Sequence, residues 1–63
     1  MSLKEYYGHT VKIIADNGKM FLGIVDDYFF SDDNGDNLES IVVSTPKGLF
    51  EFKAADIKNI EII

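Results

Sequence analysis

Thr10-Val11-Lys12-Ile13-Ile14-Ala15-Asp16-Asn17-Gly18-Lys19-Met20-Phe21-Leu22-Gly23-Ile24-Val25 is the stretch that decides the fold class. Val11, Ile13 and Ala15 alternate with Thr10, Lys12 and Ile14, the spacing of a strand with two distinct faces. Asn17-Gly18 then marks a tight hairpin, and the type I′ turn it predicts needs positive φ at both central residues. The second strand, from Met20 to about Phe30, sets Met20, Leu22 and Ile24 on one face and Phe21 and Val25 on the other. Both faces are apolar, so both call for cover: one from the interior of the domain, the other from a helix or a neighbouring chain. A strand this long does not stay flat, and Gly23 in its interior predicts the sharp bend by which a small sheet curls on itself.

Toward the N-terminus, Ser2-Leu3-Lys4-Glu5 has the form of a capping box. Leu3, Tyr6 and Tyr7 share a helical face and Gly8 suits a left-handed ending, which predicts a short helix over residues 3–7. Such a helix is too short to stand alone, so its apolar face must plug another element. Toward the C-terminus, Ser31 to Asn37 reads as a polar, acidic loop centred on Asn34-Gly35. A third strand follows over about Leu38–Thr45, carrying β-branched Ile41, Val42 and Val43. Thr45-Pro46-Lys47-Gly48 is a turn, with proline setting φ on the way in. Leu49–Lys53 is a fourth strand, Ala54-Ala55-Asp56 a single helical turn and Lys58–Ile63 a fifth strand with Ile60 and Ile62 on one face. The expected architecture is all-β: one domain over residues 1–63, a small SH3-type five-stranded barrel with a short N-terminal helix.

A chain of 63 residues without cysteine has neither disulfides nor thiolate metal sites to supplement a small core. Good packing or a partner chain must do so. No apolar run reaches the length of a membrane span or a signal-peptide core, and the start Met1-Ser2-Leu3-Lys4 predicts a cytoplasmic protein. The charge balance argues against generic nucleic-acid binding: eleven acids face six lysines, arginine is absent and the net charge is −5. No base lies between Lys19 and Lys47, while Asp26, Asp27, Asp32, Asp33, Asp36 and Glu39 fall in that gap.

The stretch from Gly8 through Val11 and Ile13 to Asp16-Asn17-Gly18-Lys19-Met20-Phe21-Leu22-Gly23-Ile24-Val25 resembles the first sequence motif of the Sm-like family. Phe52-Lys53-Ala54-Ala55-Asp56-Ile57 looks like a degenerate second motif, with Lys53 at the place of the usual arginine and Ala54 at that of the glycine. The overall pattern is nearest to short acidic Sm-like proteins of Gram-positive bacteria. The resemblance spans nearly the whole chain and implies subunits that join the fourth strand of one copy to the fifth of the next. Phe50, Phe52, Ile60 and Ile62 are the interface residues it implies in a homo-oligomer. It also implies an RNA site. The family's pocket aspartate falls on Phe29, its asparagine near Asp33 or Asn34 and its arginine on Lys53, where lysine lacks the planar bidentate fork.

Chemistry-bearing residues are few. His9 has no serine, cysteine or carboxylate partner at a spacing that makes a triad, and no catalytic residue is assigned. Asp26 and Asp27 stand on opposite faces of a strand and cannot share a substrate. The acidic run from Ser31 to Asn37 fails as an EF-hand because Phe30 occupies a ligand position, so neither metal nor cofactor is expected. Tyr28, Phe29 and Phe30 offer aromatic faces suited to core packing or to base stacking. The expected function is a non-enzymatic, self-associating Sm-like scaffold that binds RNA weakly or through a partner, with Lys53, Tyr28, Phe29 and Asn34 as RNA-contacting residues. A different class of function is an acidic module with no RNA role that docks on a basic protein.

Overall fold

The computed structural model describes the backbone of residues 2–33 and 36–63, and the side chains of 2–30 and 38–63. Five antiparallel strands form one sheet: β1 (Thr10–Ala15), β2 (Met20–Asp33), β3 (Asp36–Thr45), β4 (Gly48–Lys53) and β5 (Ile57–Ile62), in the order β4-β3-β2-β1-β5. Two 3-10 turns, Lys4–Tyr6 and Ala54–Asp56, complete the elements.

The sheet is curled. β4 and β5 are its two outer strands, which a flat sheet would hold about 19 Å apart at ~4.8 Å per strand. Yet only Ala54–Asp56 separates them in sequence, and four residues reach at most about 14 Å. The Asp16 N–H also donates to the Asp56 carbonyl at 2.8 Å, drawing the β1 end onto that turn. β4 and β5 are nevertheless not paired with each other among the described residues, so the sheet is open between them.

Two features of β2 produce the curl. At Gly23 the neighbouring strand comes so close that a Cβ would run into the Ser44 carbonyl oxygen and lie 2.8 Å from Val43 Cγ1. The expected bend residue is therefore a point of close backbone approach. Three residues on, the β2–β3 register slips between Val25 and Asp27, leaving Asp26 as the extra residue of a bulge. The bulge corrects the sequence-based placing of Asp26 and Asp27 on opposite faces. Simple alternation does not run through it, and both residues are exposed.

The concave face holds the core. Val11 and Ile13 of β1, Val25 of β2 and Ile41 and Val43 of β3 are almost fully buried, joined by Phe52, Ile57 and Ile60 from the outer strands. Phe21 closes one end, its ring 5.0 Å from that of Phe52 and 5.4 Å from that of Phe50. Leu3 is the N-terminal plug, wholly buried. The predicted capping box does not form, however. The segment makes a 3-10 turn over Lys4–Tyr6 without a side-chain cap, and Ser2 Oγ points 3.5 Å from Glu39 Oε1. Leu3 must reach the core, and that entry angle turns Ser2 toward β3; Tyr7 is left exposed while Gly8 ends the turn at φ 80°.

The hairpins depart from expectation in two places. At the first, Gly18 N–H donates to the Ala15 carbonyl and Ala15 N–H to that of Lys19. These bonds make a three-residue loop, Asp16-Asn17-Gly18, in which Gly18 alone carries the positive φ, at 87°. Asn17 instead uses its side-chain oxygen to accept the Lys19 N–H at 3.0 Å. At the second, the stretch read as a loop from Ser31 to Asn37 is mostly ladder: pairing runs on to Asp33↔Asp36. Ladder hydrogen bonds join backbones and tolerate polar side chains, so composition alone mistook a ribbon for a loop. The Thr45–Gly48 turn is as expected, with Thr45 Oγ1 accepting the Lys47 N–H at 3.1 Å. The fifth strand begins at Ile57, one residue before the predicted start.

Candidate functional site

The ladder brings Phe29, Ser40 and Lys53 into one row across three strands, since Phe29 pairs with Ser40 and Ser40 with Lys53. This row flanks a cleft of about 250 Å³ whose other walls include Phe30, Leu38, Glu39, Ala54 and Ala55. Phe29 and Lys53, far apart in sequence and both named as RNA-contacting residues, thus lie in one row, two strands apart across Ser40. One ring and one ammonium group can stack on a base and meet a phosphate. Glu39 contributes to the same cleft, but it neighbours Ser40 along β3 and its carboxylate is turned to the other face.

Tyr28 does not join this group. It pairs with Ile41, on the buried face, and its hydroxyl donates to Glu39 Oε1 at 2.8 Å. Glu39 Oε1 also accepts the Leu3 N–H at 3.1 Å, so one carboxylate ties β2, β3 and the N-terminal plug together. The bond to Glu39 raises the Tyr28 pKa above the usual 10.0, with desolvation and the carboxylate charge acting in the same direction. The Tyr28 hydroxyl is thereby engaged within the fold. Asn34 lies outside the described residues. Glu39 escaped the sequence reading, although a signal for it exists. Glu39, Ile41 and Val43 alternate along β3, and an acid on a face whose other members are buried needs a hydrogen-bond partner.

The four interface residues divide. Phe52 and Ile60 are buried in the chain's own core, Phe50 is half-buried against Phe21, and Ile62 is exposed. What β4 and β5 offer outward is backbone. The Thr45–Gly48 pair closes the turn and is hydrogen-bonded, and bonded pairs alternate with non-bonded ones. Leu49, Glu51 and Lys53 therefore turn their N–H groups away from β3, and Lys53 N–H indeed goes to Asp56 Oδ2 at 3.1 Å. On β5 the Ile63 N–H donates to the Thr10 carbonyl, which makes Val11↔Ile62 a non-bonded pair. By the same alternation Ile60 and Ile62 direct their N–H groups away from β1.

His9 is exposed, and its backbone carbonyl accepts the Val25 N–H at 3.0 Å. Among the described residues no three histidine or acidic side chains are grouped to hold a metal. Among the described residues no helix is long and apolar enough to cross a membrane. No family model, no curated protein and no solved structure matches the chain.

Proposed function

We propose that the chain is a non-enzymatic scaffold of Sm-like small-barrel type that assembles by pairing β4 of one copy with β5 of the next. The observation that carries this reading is the matched pair of free edges. β4 presents the N–H groups of Leu49 and Glu51, and β5 those of Ile60 and Ile62, each two residues apart. An antiparallel junction of these edges satisfies backbone groups that otherwise face water and removes both edges from the surface. It adds cover to Leu49 and Ile62, which are exposed in the single chain. The small core gains most from such an arrangement.

RNA is a secondary ligand in this reading, bound weakly. Phe29 and Lys53 supply one stacking face and one cation per subunit, and a net charge of −5 per chain repels phosphate.

The test is native mass against protein concentration for wild type and Glu51→Pro. Proline there removes only an outward donor and fills the space of the incoming strand. The expected result is an assembly for wild type and a folded monomer for the variant. A wild type that stays monomeric at high concentration overturns the reading.

A further inference from the structure

At the turn end of the sheet, away from the Phe29–Lys53 row, lies an open groove of about 640 Å³. Its lining is Lys19, Met20, Phe21 and Leu22 from one hairpin and Thr45, Pro46, Lys47 and Phe50 from the other. We propose that this groove is a docking site for a short acidic–apolar peptide segment of a partner protein.

Charge segregation is the first argument. The chain carries eleven acids and six lysines, yet the groove's lining holds two of those lysines and no acid. Among the described residues the one lysine–carboxylate contact is Lys12 Nζ to Glu61 Oε2 at 3.8 Å, so Lys19 and Lys47 are both unpaired. The second argument is the floor. Met20 is 57% exposed and Leu22 46%, and Ile24 at 48% continues the same face along β2. This is the face that required cover on sequence grounds. The N-terminal segment does not provide it, because Leu3 is spent on the opposite, concave side.

The geometry selects a peptide over other polyanions. A nucleic-acid strand needs open aromatic faces, but the Phe21 ring is packed against both Phe50 and Phe52. An anionic membrane is disfavoured because the remaining charge of the protein repels an extended anionic sheet. A segment with a few carboxylates and two or three apolar side chains meets two lysines and an apolar floor without that long-range penalty. The assignment is independent of edge pairing.

The test is fluorescence polarisation with a short labelled peptide in which aspartates alternate with leucine and phenylalanine. The expected result is saturable binding that weakens as salt rises. It should fall at least about tenfold in Lys19→Glu/Lys47→Glu and in Leu22→Ser, with unchanged far-UV circular dichroism in both variants. Absence of binding overturns the proposal, as does equal binding of oligo-aspartate, which would leave the apolar floor without a role. Stronger binding of a uridine-rich RNA or of phosphatidylserine vesicles, lost in the same lysine variant, assigns the groove to that class and overturns the peptide. An assembly that dissociates in the lysine variant but not in Glu51→Pro makes a second copy the occupant and overturns it likewise.

Discussion

Replacing Gly23 with alanine sets a methyl group against the Ser44 carbonyl oxygen, 2.8 Å from Val43 Cγ1 and 2.9 Å from the Ser44 carbonyl carbon. Two of these three atoms are backbone, so no rotamer change relieves the clash. β2 and β3 must separate where Ile24 pairs with Ser44, near the centre of the sheet. Overpacking of this kind costs about 1–3 kcal/mol, and weakening two ladder hydrogen bonds adds about 1 kcal/mol each. The total is roughly 3–5 kcal/mol, against roughly 3–9 kcal/mol of total stability for a domain of this size. Gly8→Ala is the control: its Cβ would meet nothing within 4 Å, and its cost comes from the left-handed backbone at φ 80°. That cost is about 1–2 kcal/mol. Urea unfolding followed by circular dichroism and tyrosine fluorescence, at one fixed protein concentration, separates the two. Gly23→Ala should unfold at markedly lower urea than Gly8→Ala, or fail to fold. A midpoint for Gly23→Ala equal to or above that of Gly8→Ala refutes the close-approach account of the bend.

Leu3→Ala should cost about 2–5 kcal/mol, since the side chain is wholly buried. Glu39→Ala should cost about 1–3 kcal/mol by stranding the Leu3 N–H and the Tyr28 hydroxyl; because both changes release the same plug, the double variant should be less damaged than the sum, measured by urea titration. Spectrophotometric titration should show Tyr6 and Tyr28 ionising above the ordinary 10.0, and Glu39→Gln should lower Tyr28 alone. The sign follows from the raised pKa: the stabilisation is fully present below the unfolded value and is lost as pH rises through the folded one, so wild type should weaken in alkali more steeply than Glu39→Gln. Glu51→Pro should convert an assembly into a folded monomer, read by native mass. Lys19→Glu/Lys47→Glu should abolish salt-sensitive binding of an acidic–apolar peptide while leaving that mass unchanged.

Regular strand patterning was legible residue by residue. Val11, Ile13 and Ala15 are buried as their spacing demanded, and Gly23 stands where the long strand has to bend. What escaped was decided by contacts between distant segments. The capping signal at Ser2 and Glu5 is local and weak, worth about 1 kcal/mol. Burial of Leu3 is worth about 1.5–3 kcal/mol, and it sets the path of the segment at the expense of the cap. The Asp26 bulge leaves no local trace, because the extra residue is defined only against Val42 and Val43 on the partner strand. It also sets which of Tyr28 and Phe29 faces inward: after the bulge Tyr28 faces the core side with Ile41, and Phe29 faces outward with Ser40.

The same distinction governs the two surfaces to which function is assigned. Lys19 and Lys47 bound the longest base-free stretch of the sequence, and on paper they are merely its ends. Folding inverts that meaning. β2 and β3 run antiparallel, so the hairpin at one end of the acidic stretch and the turn at the other lie at the same end of the sheet, and the two lysines meet across one apolar groove. The acids between them are carried along the β2–β3 ribbon to the opposite end. A charge pattern that is uniform and repulsive in sequence thereby becomes a polar arrangement in space. It leaves a groove whose lining is basic and apolar, with Asp16, Glu51 and Asp56 kept to the other side of Phe21, and so able to attract an acidic segment on a protein of net negative charge.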